Sequence, residues 1–473
     1  MNRIRHLRSR SIWSAAARRR FSFATPTSVF IFFRRASKKQ RGFNELTDEN
    51  KKFYGYWIVA AAFIFMMMVV GFVLYGLPQF YPNYIAEFGW RRDQIQLGNT
   101  LSKVIVGPIF GFAAGWAIEK LGPRSVMIAG AFFAGVALLG FSMMNSLGQL
   151  YLFYFFNALG YLCAGPLPSQ VIISNWFSRM RGRMMGIAYV GIGVGGAVIP
   201  WLIRWFRDAA GWRGALHFLG IIIFVTLILL SVFVIKRQPS DLGLLPDGDE
   251  QKDGAGEQPA PKAIRLAQIL STPAFWLLAA GSVLSISAVG GITQNLPLYL
   301  TDITKSNEEA RSAVAVYPSI VLFTSIAGRL TMGFLADKFS KKHVMIATFL
   351  IIALSIPLLL LAPQYPVFLY VFAVMFGFGL GADYMLIPLM TAECFGLAGL
   401  SRILGIIITS DSVGEALMPW AIARIRETTG SYDSGFILLS CVALAGALAI
   451  MAIRYRNGVP VSRLSLDNRI NQP

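Results

Sequence analysis

Long apolar runs recur along most of the chain, and each is long enough to form a helix that crosses a membrane. A helix needs about 20 mostly apolar residues to span a hydrocarbon core about 30 Å thick. Twelve such runs lie at residues 56–84, 94–118, 125–145, 149–175, 184–206, 214–235, 272–300, 311–335, 343–362, 366–392, 403–423 and 434–453. The pattern predicts an all-α integral membrane protein with twelve transmembrane helices.

A polar stretch divides the predicted helices into two sets of six. Residues 238–270 include four prolines and several acidic side chains, a composition typical of a water-exposed linker. The chain is therefore predicted to contain a basic N-terminal tail without stable structure (1–50), an N-terminal six-helix bundle (51–237), a linker (238–270), a C-terminal six-helix bundle (271–456) and a C-terminal tail (457–473).

The two predicted bundles resemble each other in sequence. At a shift of 219 residues, identical residues coincide: Trp57 with Trp276, Gly71 with Gly290, Arg183 with Arg402, Gly186 with Gly405, and Pro200-Trp201 with Pro419-Trp420. At a shift of 218 residues, the segment 115–124 after the second predicted helix falls on 333–342 after the eighth. The repeat predicts that the two six-helix bundles are pseudo-symmetric.

Basic residues are distributed unevenly between the two sides of the predicted membrane. If the N-terminus lies inside, the inner segments hold 32 of the 43 Lys and Arg residues and the outer segments hold 9. Because cytoplasmic loops carry an excess of Lys and Arg, we predict a multi-pass protein of the cell membrane. Its N-terminus, linker and C-terminus are then cytoplasmic.

The composition excludes several classes of protein. Hydrophobic residues make up 55% of the chain and charged residues 14%, whereas soluble domains carry about 25% charged residues. An ordinary soluble enzyme is therefore excluded. The three cysteines and three histidines are scattered, so neither metal-site spacing nor a nucleophile-base arrangement is present. We expect no enzymatic activity, no metal and no cofactor.

The net charge of +19 comes largely from the N-terminal tail. Residues 1–42 hold twelve Lys and Arg residues and no acid. The tail is interpreted as an organellar transit peptide, a lipid-binding arm or translated upstream sequence, and the last two are favoured because nothing else indicates an organelle. Nucleic-acid binding is not expected of a tail that adjoins a membrane span, so the expected partner is the lipid bilayer.

The loops after the second and eighth predicted helices share a glycine, acid and base pattern. The matching residues are Gly115, Glu119 and Arg124 in the first loop and Gly333, Asp337 and Lys338 in the second. This pattern resembles the cytoplasmic loop signature of the major facilitator superfamily, whose members contain two six-helix repeats. The resemblance covers residues 53 to about 456, and segments 175–182, 239–248 and 296–302 resemble its oxalate/formate antiporter and monocarboxylate transporter branch.

These loops also supply candidate gating residues. Glycine lets two helices approach closely, and an acid beside it accepts charge-assisted bonds from Arg or from backbone N–H groups. The predicted gating residues are Gly115, Glu119, Arg124, Arg181, Gly333, Asp337, Lys338 and Arg402. The alternative is that these charges only maintain the membrane topology.

Five ionisable residues fall inside predicted helices: Lys103, Arg329, Asp383, Asp411 and Glu415. Such residues are costly in a membrane unless they are paired or face water, so each is a functional candidate. The equivalent positions in the other half are neutral for the first four, which favours a substrate or coupling role. We predict that Arg329 binds an anionic substrate; the alternative is that it only pairs with Asp383.

Lys103 is a second candidate substrate ligand and a candidate for an ion pair. In the family, helix 2 packs against helix 11, where Asp411 and Glu415 lie one turn apart at the level of Lys103. We therefore predict a pair between Lys103 and one of these acids. The three acids, Asp383 included, are assigned to ion pairing or proton coupling, and a pair that only secures helix packing is the alternative.

Polar residues on helices 1, 4, 7 and 10, which line the central cavity in this family, complete the predicted site. They are Tyr75, Gln79, Asn157, Gln294, Asn295 and Tyr384. For each of them, packing or water contact is the alternative to substrate contact.

The resemblance implies a secondary transporter that moves a small organic anion, a monocarboxylate, by alternating access, with H⁺ as the expected coupling ion. Two departures argue against oxalate or lactate: Asp411 and Gln79 stand where oxalate/formate exchangers and animal monocarboxylate carriers, respectively, have a lysine. Two other functions stay open. One is transport of a neutral or cationic solute with Asp383 and Asp411 as the cation site, and the other is a transporter-like receptor that does not transport.

Overall fold

The structure is a computed structural model that describes residues 53–249, 266–306, 308–456 and 459–462. The predicted N-terminal tail (1–50), residues 250–265 of the predicted linker and most of the predicted C-terminal tail lie outside these residues.

Twelve long helices, numbered α1 to α12, account for most of the described residues. The first six are α1 (55–88), α2 (Arg92–Leu121), α3 (Pro123–Met143), α4 (Leu147–Ala164 and Pro166–Trp176), α5 (181–210) and α6 (212–234). The second six are α7 (Pro273–Ser306), α8 (Glu308–Lys338), α9 (Lys341–Ser355 and Leu358–Leu361), α10 (Val367–Phe395), α11 (Leu400–Thr429) and α12 (Asp433–Met451). The predicted all-α fold of twelve helices is confirmed.

Glycines interrupt two of the helical runs, and two other helices contain π-helical stretches. Gly165, followed by Pro166, breaks α4, and Gly211 adopts a left-handed φ of 69° that separates α5 from α6 within Arg181–Leu229. α1 is a composite of Gly55–Phe65, the π-helical stretches Met66–Val70 and Phe72–Gly76, the 3-10 turn Leu77–Phe80, and Tyr81–Phe88. The π-helical stretch Leu230–Val234 ends α6.

Short elements complete the described chain. They are the 3-10 turns Pro239–Leu242 and Pro246–Gly248, the helix Leu266–Leu270, and a hairpin of β1 (Tyr455–Arg456) and β2 (Val459–Pro460). The linker joins the C-terminal end of α6 to the N-terminal end of α7. We call the side of the protein where these two ends lie the linker face. The other side, where α1 ends and α2 begins, is called the opposite face.

The two sets of six helices pack in the same way. In the first set, α1 contacts α5, α2 contacts α4, and α3 contacts α4 and α6. In the second set, α7 contacts α11, α8 contacts α10, and α9 contacts α10 and α12. The repeat in the sequence therefore corresponds to a repeat in the structure.

Two helix pairs join the two sets: α2 packs on α11, and α5 packs on α8. Glycines bring these backbones together near the linker face. A Cβ atom added at Gly115 would lie 2.4 Å from the carbonyl oxygen of Ser401, and one added at Gly333 would lie 2.6 Å from that of Gly182. Both distances are shorter than any ordinary carbon contact, so larger residues would force the helices apart.

Nine helical stretches of the described chain are long and apolar enough to cross a membrane by length and composition. Three features explain why the number is below twelve. Residues 181–234, which contain α5 and α6, count as one stretch, and the apolar helical part of α1 is short at Gly55–Val70. α11 carries charged residues, Asp411 and Glu415 among them.

Candidate functional site

A cavity of about 80 Å³ lies between the two sets of helices, large enough for several water molecules or a small solute. Its walls come from α2, α4, α10 and α11, with Val73 from α1. Its polar lining consists of Asn99, Lys103, Asn157, Tyr161, Tyr384, Thr409, Ser412 and Glu415. A polar cavity between two helix repeats is the place where transporters of this architecture bind their solute.

The predicted polar residues are divided between this cavity and other places. Asn157 and Tyr384 line the cavity. Tyr75 is partly exposed and lies beside Gly196 of α5, while Gln79 and Gln294 are exposed outside the cavity lining. Asn295 is buried and donates to the carbonyl oxygens of Gly291 and Pro419, at 3.0 and 3.1 Å, so it joins α7 to α11.

Lys103 and Glu415 form an ion pair in the cavity wall, with 3.4 Å between Lys103 Nζ and Glu415 Oε1. Their side chains are 30% and 26% exposed, so the pair is open to the cavity. Tyr384 Oη donates to Glu415 Oε2 at 3.2 Å. Of the two acids considered from the sequence, the partner of Lys103 is therefore Glu415, and the pair connects the first set of helices to the second.

Asp411 and Asp383 are buried against α7 instead. Asp411 is 1% exposed, and both of its oxygens accept from Ser282 Oγ, at 2.8 and 2.9 Å. Asp383 is fully buried and accepts from Ser285 Oγ at 3.1 Å. Among the described residues no base lies within ion-pair distance of either acid, and neither acid lines the cavity. The two serines, one helical turn apart, thus connect α7 to α10 and α11.

Arg329 lies on α8 where this helix packs on α5. It is 6% exposed, its Nη1 donates to Ser325 Oγ at 2.8 Å, and its Nε has no partner. The side chains of Tyr75 and Tyr189 are close enough to interact with it electrostatically. Within the described part of the chain no acid lies within ion-pair distance of Arg329, so the alternative pairing with Asp383 does not occur in this conformation.

Two polar contacts close the linker face between the halves. Arg402, at the start of α11, binds Glu119, at the end of α2, with 2.6 Å between Nη2 and Oε1. Asp337, at the end of α8, accepts from the backbone N–H groups of Gly182 and Arg183 at 2.6 and 3.0 Å. Arg183 Nε also lies 3.4 Å from Asp337 Oδ2. The positive N-terminus of α5 strengthens this contact with a carboxylate.

The remaining predicted gating residues take other positions. Arg181 donates to the carbonyl oxygens of Phe177 and Ser174 at the end of α4, at 2.9 and 3.0 Å. Lys338 Nζ lies 4.4 Å from the ring centroid of Phe334, and Arg124 forms no ion pair with any described residue. Arg183 was not among the predicted gating residues. The repeat aligns it with Arg402, which was, so the sequence did contain a signal for it.

The segment that follows α6 is bound to the linker face. Asp247 adopts a φ of 61°, and its buried side chain accepts from the three backbone N–H groups of residues 178–180, at 3.0, 2.7 and 3.3 Å. Arg237 Nη2 donates to the carbonyl oxygen of Glu119 at 2.9 Å. The start of the linker is therefore held against the α4–α5 loop and the end of α2, and nothing in the sequence pattern indicated this.

Residues 59–329 and 310–469 match the Major Facilitator Superfamily, and the chain belongs to this family. The prediction made from the loop signature is confirmed, and the chain is a transporter-class membrane protein and not an enzyme.

Two relatives are similar over most of their length. Monocarboxylate transporter 12 of Rattus norvegicus is 28% identical over 339 residues, which are 68% of this chain and 69% of that protein. The probable hexose phosphate transport protein of Chlamydia pneumoniae is 26% identical over 323 residues, 63% of this chain and 69% of that protein. The first relative agrees with the predicted monocarboxylate-like branch.

Solved structures share the fold. The proton:xylose symporter XylE, bound to 6-bromo-6-deoxy-D-glucose, superposes with a TM-score of 0.67 at 13% identity, covering 87% of this chain and 98% of that one. The human organic anion transporter MFSD10 superposes with a TM-score of 0.65 at 12% identity, covering 84% and 99%. At these identities the likeness concerns the fold alone.

Proposed function

We propose that the protein is a secondary active transporter of a small organic anion, with monocarboxylates as the substrate class, and that it works by alternating access. The observation that carries this proposal is Arg329, a buried guanidinium without an acidic partner among the described residues. A guanidinium offers parallel N–H donors that match the two oxygens of a carboxylate. The two nearby tyrosine hydroxyls are further donors for such a group.

The energetics of a buried charge favour an anion over other solutes. A buried cation without a counter-ion is unfavourable by several kcal/mol, so an anion that binds Arg329 relieves a cost already present. A neutral or cationic solute leaves that cost in place. None of Arg329, Asp383 and Asp411 lines the cavity. The two acids invoked for a cation site already accept hydrogen bonds from serines of α7, whereas Arg329 has no acidic partner among the described residues.

The names of the relatives support an anion and leave two chemical classes. One relative is a monocarboxylate transporter and another is a probable hexose phosphate transport protein. Guanidinium groups bind phosphate as well as carboxylate. The monocarboxylate is our first candidate, and a phosphate ester is the second.

The proposal includes an arrangement in the membrane. The bundles 51–237 and 271–456 act as two moving bodies in the cell membrane, and both termini and the linker are cytoplasmic, in line with the excess of Lys and Arg in those segments. The contacts Glu119–Arg402 and Asp337–Arg183 then close the cytoplasmic side of the cavity. Access alternates when these contacts break and others form on the opposite face.

Uptake into proteoliposomes tests the proposal, with labelled acetate, pyruvate, glucose 6-phosphate, glucose and choline as probes. We expect the wild type to take up carboxylates. Arg329→Ala and Arg329→Lys should lose this uptake by roughly 10- to 100-fold, because a charge-assisted bond contributes about 1.5–3 kcal/mol. The matched control is Arg424→Ala. It removes an exposed arginine that pairs with Glu427 near the C-terminal end of α11.

Each other outcome selects a different function. Wild-type carboxylate uptake by Arg329→Ala contradicts the anion site. Uptake of glucose 6-phosphate without carboxylate uptake selects the phosphate ester, and uptake of glucose or choline alone selects the neutral or cationic solute. Thermal stabilisation by a carboxylate without any uptake selects a receptor.

A further inference from the structure

We propose that Glu415 carries the proton that moves with the substrate, and that its ion pair with Lys103 makes the movement of the two halves depend on that proton. Resting on the proposed transport function, this assigns the coupling ion and its carrier. It also separates Glu415 from Asp383 and Asp411.

Access to water distinguishes Glu415 from the two other acids. Glu415 lines the cavity and its side chain is 26% exposed, whereas Asp383 and Asp411 are buried and bound to serine hydroxyls of α7. A proton from the cavity reaches Glu415 without any change in helix packing. To reach either aspartate, it would have to pass through the contact of α7 with α10 or α11.

The ion pair lies where relative movement of the halves changes its length. Lys103 belongs to the first set of helices and Glu415 to the second. From the level of Gly107 to the linker face, α2 and α11 are in close contact, as at Gly111, where an added Cβ would lie 2.0 Å from Thr409 Oγ1. The pair sits at the cavity end of this closed contact. When α2 separates from α11, Lys103 and Glu415 move apart.

The groups around Glu415 come from four helices. Lys103 faces it from α2, and Tyr384 donates to it from α10. Tyr161 of α4 interacts with it electrostatically, as does Asp411, one turn away on α11. Gly290 of α7 packs against Glu415, and Asp383, which directly precedes Tyr384 on α10, accepts from Ser285 of α7. Lys103 is thus the only cation in this surround, as far as the described residues extend, and Glu415 is its direct partner.

The proposed step conserves charge and protons. A hydronium ion in the cavity gives a proton to a carboxylate oxygen of Glu415 and becomes water, and the charge-assisted bond from Lys103 Nζ is lost. Lys103 keeps its own proton and is left facing the cavity with an uncompensated positive charge that attracts an anion. The halves then move, and Glu415 releases its proton on the other side. One proton accompanies one monovalent anion, so the cycle is electroneutral.

Distances between spin labels, measured by pulsed electron paramagnetic resonance in nanodiscs, test this step without a substrate. Leu121 and Phe339 suit the labels because they lie at the linker face, one in each half, and are 65% and 61% exposed. The three native cysteines are replaced first. For the wild type between pH 8 and pH 5, we expect the population with an open linker face to increase, with label distances longer by roughly 5 Å or more, the scale of one helical turn.

Two variants test whether the Lys103–Glu415 pair keeps the linker face closed and whether Glu415 is the group that responds to pH. Glu415→Gln should show the long distance at every pH, because it lacks both the pair and the titrating group. Lys103→Gln should also show the long distance at every pH, because without the cation there is no ion pair for the proton to break. The exposed matched control Glu427→Gln should behave as the wild type.

The proposal is overturned if Glu415→Gln keeps the wild-type response to pH, or if the wild type shows none. It is also overturned if Asp411→Asn loses the response while Glu415→Gln retains it. Because no substrate is used, these results are independent of the uptake assay on Arg329. A failed anion assignment and a failed proton assignment are therefore distinguishable.

Discussion

Arg402 on α11 and Glu119 on α2 form an ion pair that joins the two halves at the linker face, with 2.6 Å between Nη2 and Oε1. Arg183 and Asp337 form the equivalent contact between α5 and α8. The arginines are related by the shift of 219 residues and the acids by the shift of 218. The internal repeat has therefore produced one contact on each side of the interface between the halves.

The first prediction concerns the Glu119–Arg402 contact. Glu119→Gln should increase the population with an open linker face by about fivefold, since a partly exposed ion pair contributes up to about 1 kcal/mol. The charge exchange of Glu119→Arg with Arg402→Glu should restore much of the closed population. Label distances between Leu121 and Phe339 measure both effects. A double variant that is no more closed than Glu119→Gln would show that the pair does not hold this face.

The second prediction concerns the close approach of α5 and α8. Gly333→Ala places a Cβ atom 2.6 Å from the carbonyl oxygen of Gly182, so the helices must separate. We expect this substitution to destabilise the closed conformation by roughly 1–3 kcal/mol. Gly148→Ala is the matched control because no atom lies within 4 Å of its added Cβ. Equal melting temperatures and label distances for the two variants would contradict this packing.

The third prediction concerns the contact between Ser282 and Asp411. Asp411→Ala leaves the buried hydroxyl without an acceptor, which costs about 1–3 kcal/mol in the free energy of unfolding. Asp411→Asn retains an acceptor oxygen and should lose less. In the background of Ser282→Ala, the difference between the two Asp411 variants should shrink. Thermal unfolding in detergent compares the two Asp411 variants, each alone and in the Ser282→Ala background. Equal stability of Asp411→Ala and Asp411→Asn would exclude the contact.

The helices and their repeat were predictable because spanning a membrane requires long apolar runs, and the runs are present in the sequence. The charged residues inside the helices were predictable for the same reason, since each interrupts an apolar run. The partner of Lys103 was narrowed to two acids because one helical turn separates Asp411 from Glu415. Which of them points toward α2 depends on the rotation of α11, and a single sequence does not contain that angle.

Backbone groups and uncharged side chains that act as partners from distant segments were not predictable. The backbone N–H groups of Gly182 and Arg183 carry no sequence signal, although they bind Asp337 as firmly as a side chain does. The serines Ser282 and Ser285 are unremarkable in an apolar helix, and only the packing of α7 brings them to the acids. For the same reason Asn295, a candidate substrate ligand by sequence, turned out to bind two backbone carbonyls.

The last prediction separates function from stability at Arg329. A binding residue that lacks a partner in the empty protein should destabilise it, because its charge is buried without compensation. Met is similar to Arg in length and is apolar. Arg329→Met should therefore melt at or above the melting temperature of the wild type, and its free energy of unfolding should exceed that of the wild type by about 1–4 kcal/mol at most. The same variant should lose the thermal stabilisation that carboxylates give the wild type.

Arg402→Met is the control for this prediction, because it leaves the partly buried Glu119 without its partner and should lower the melting temperature. If Arg329→Met instead melts several degrees below the wild type, as Arg402→Met should, then Arg329 stabilises the empty protein. Its charge would then be compensated without a substrate, and the main reason for assigning an anion to this site would be lost. A raised or unchanged melting temperature, together with lost stabilisation by carboxylates, is the combination that a substrate-binding arginine requires.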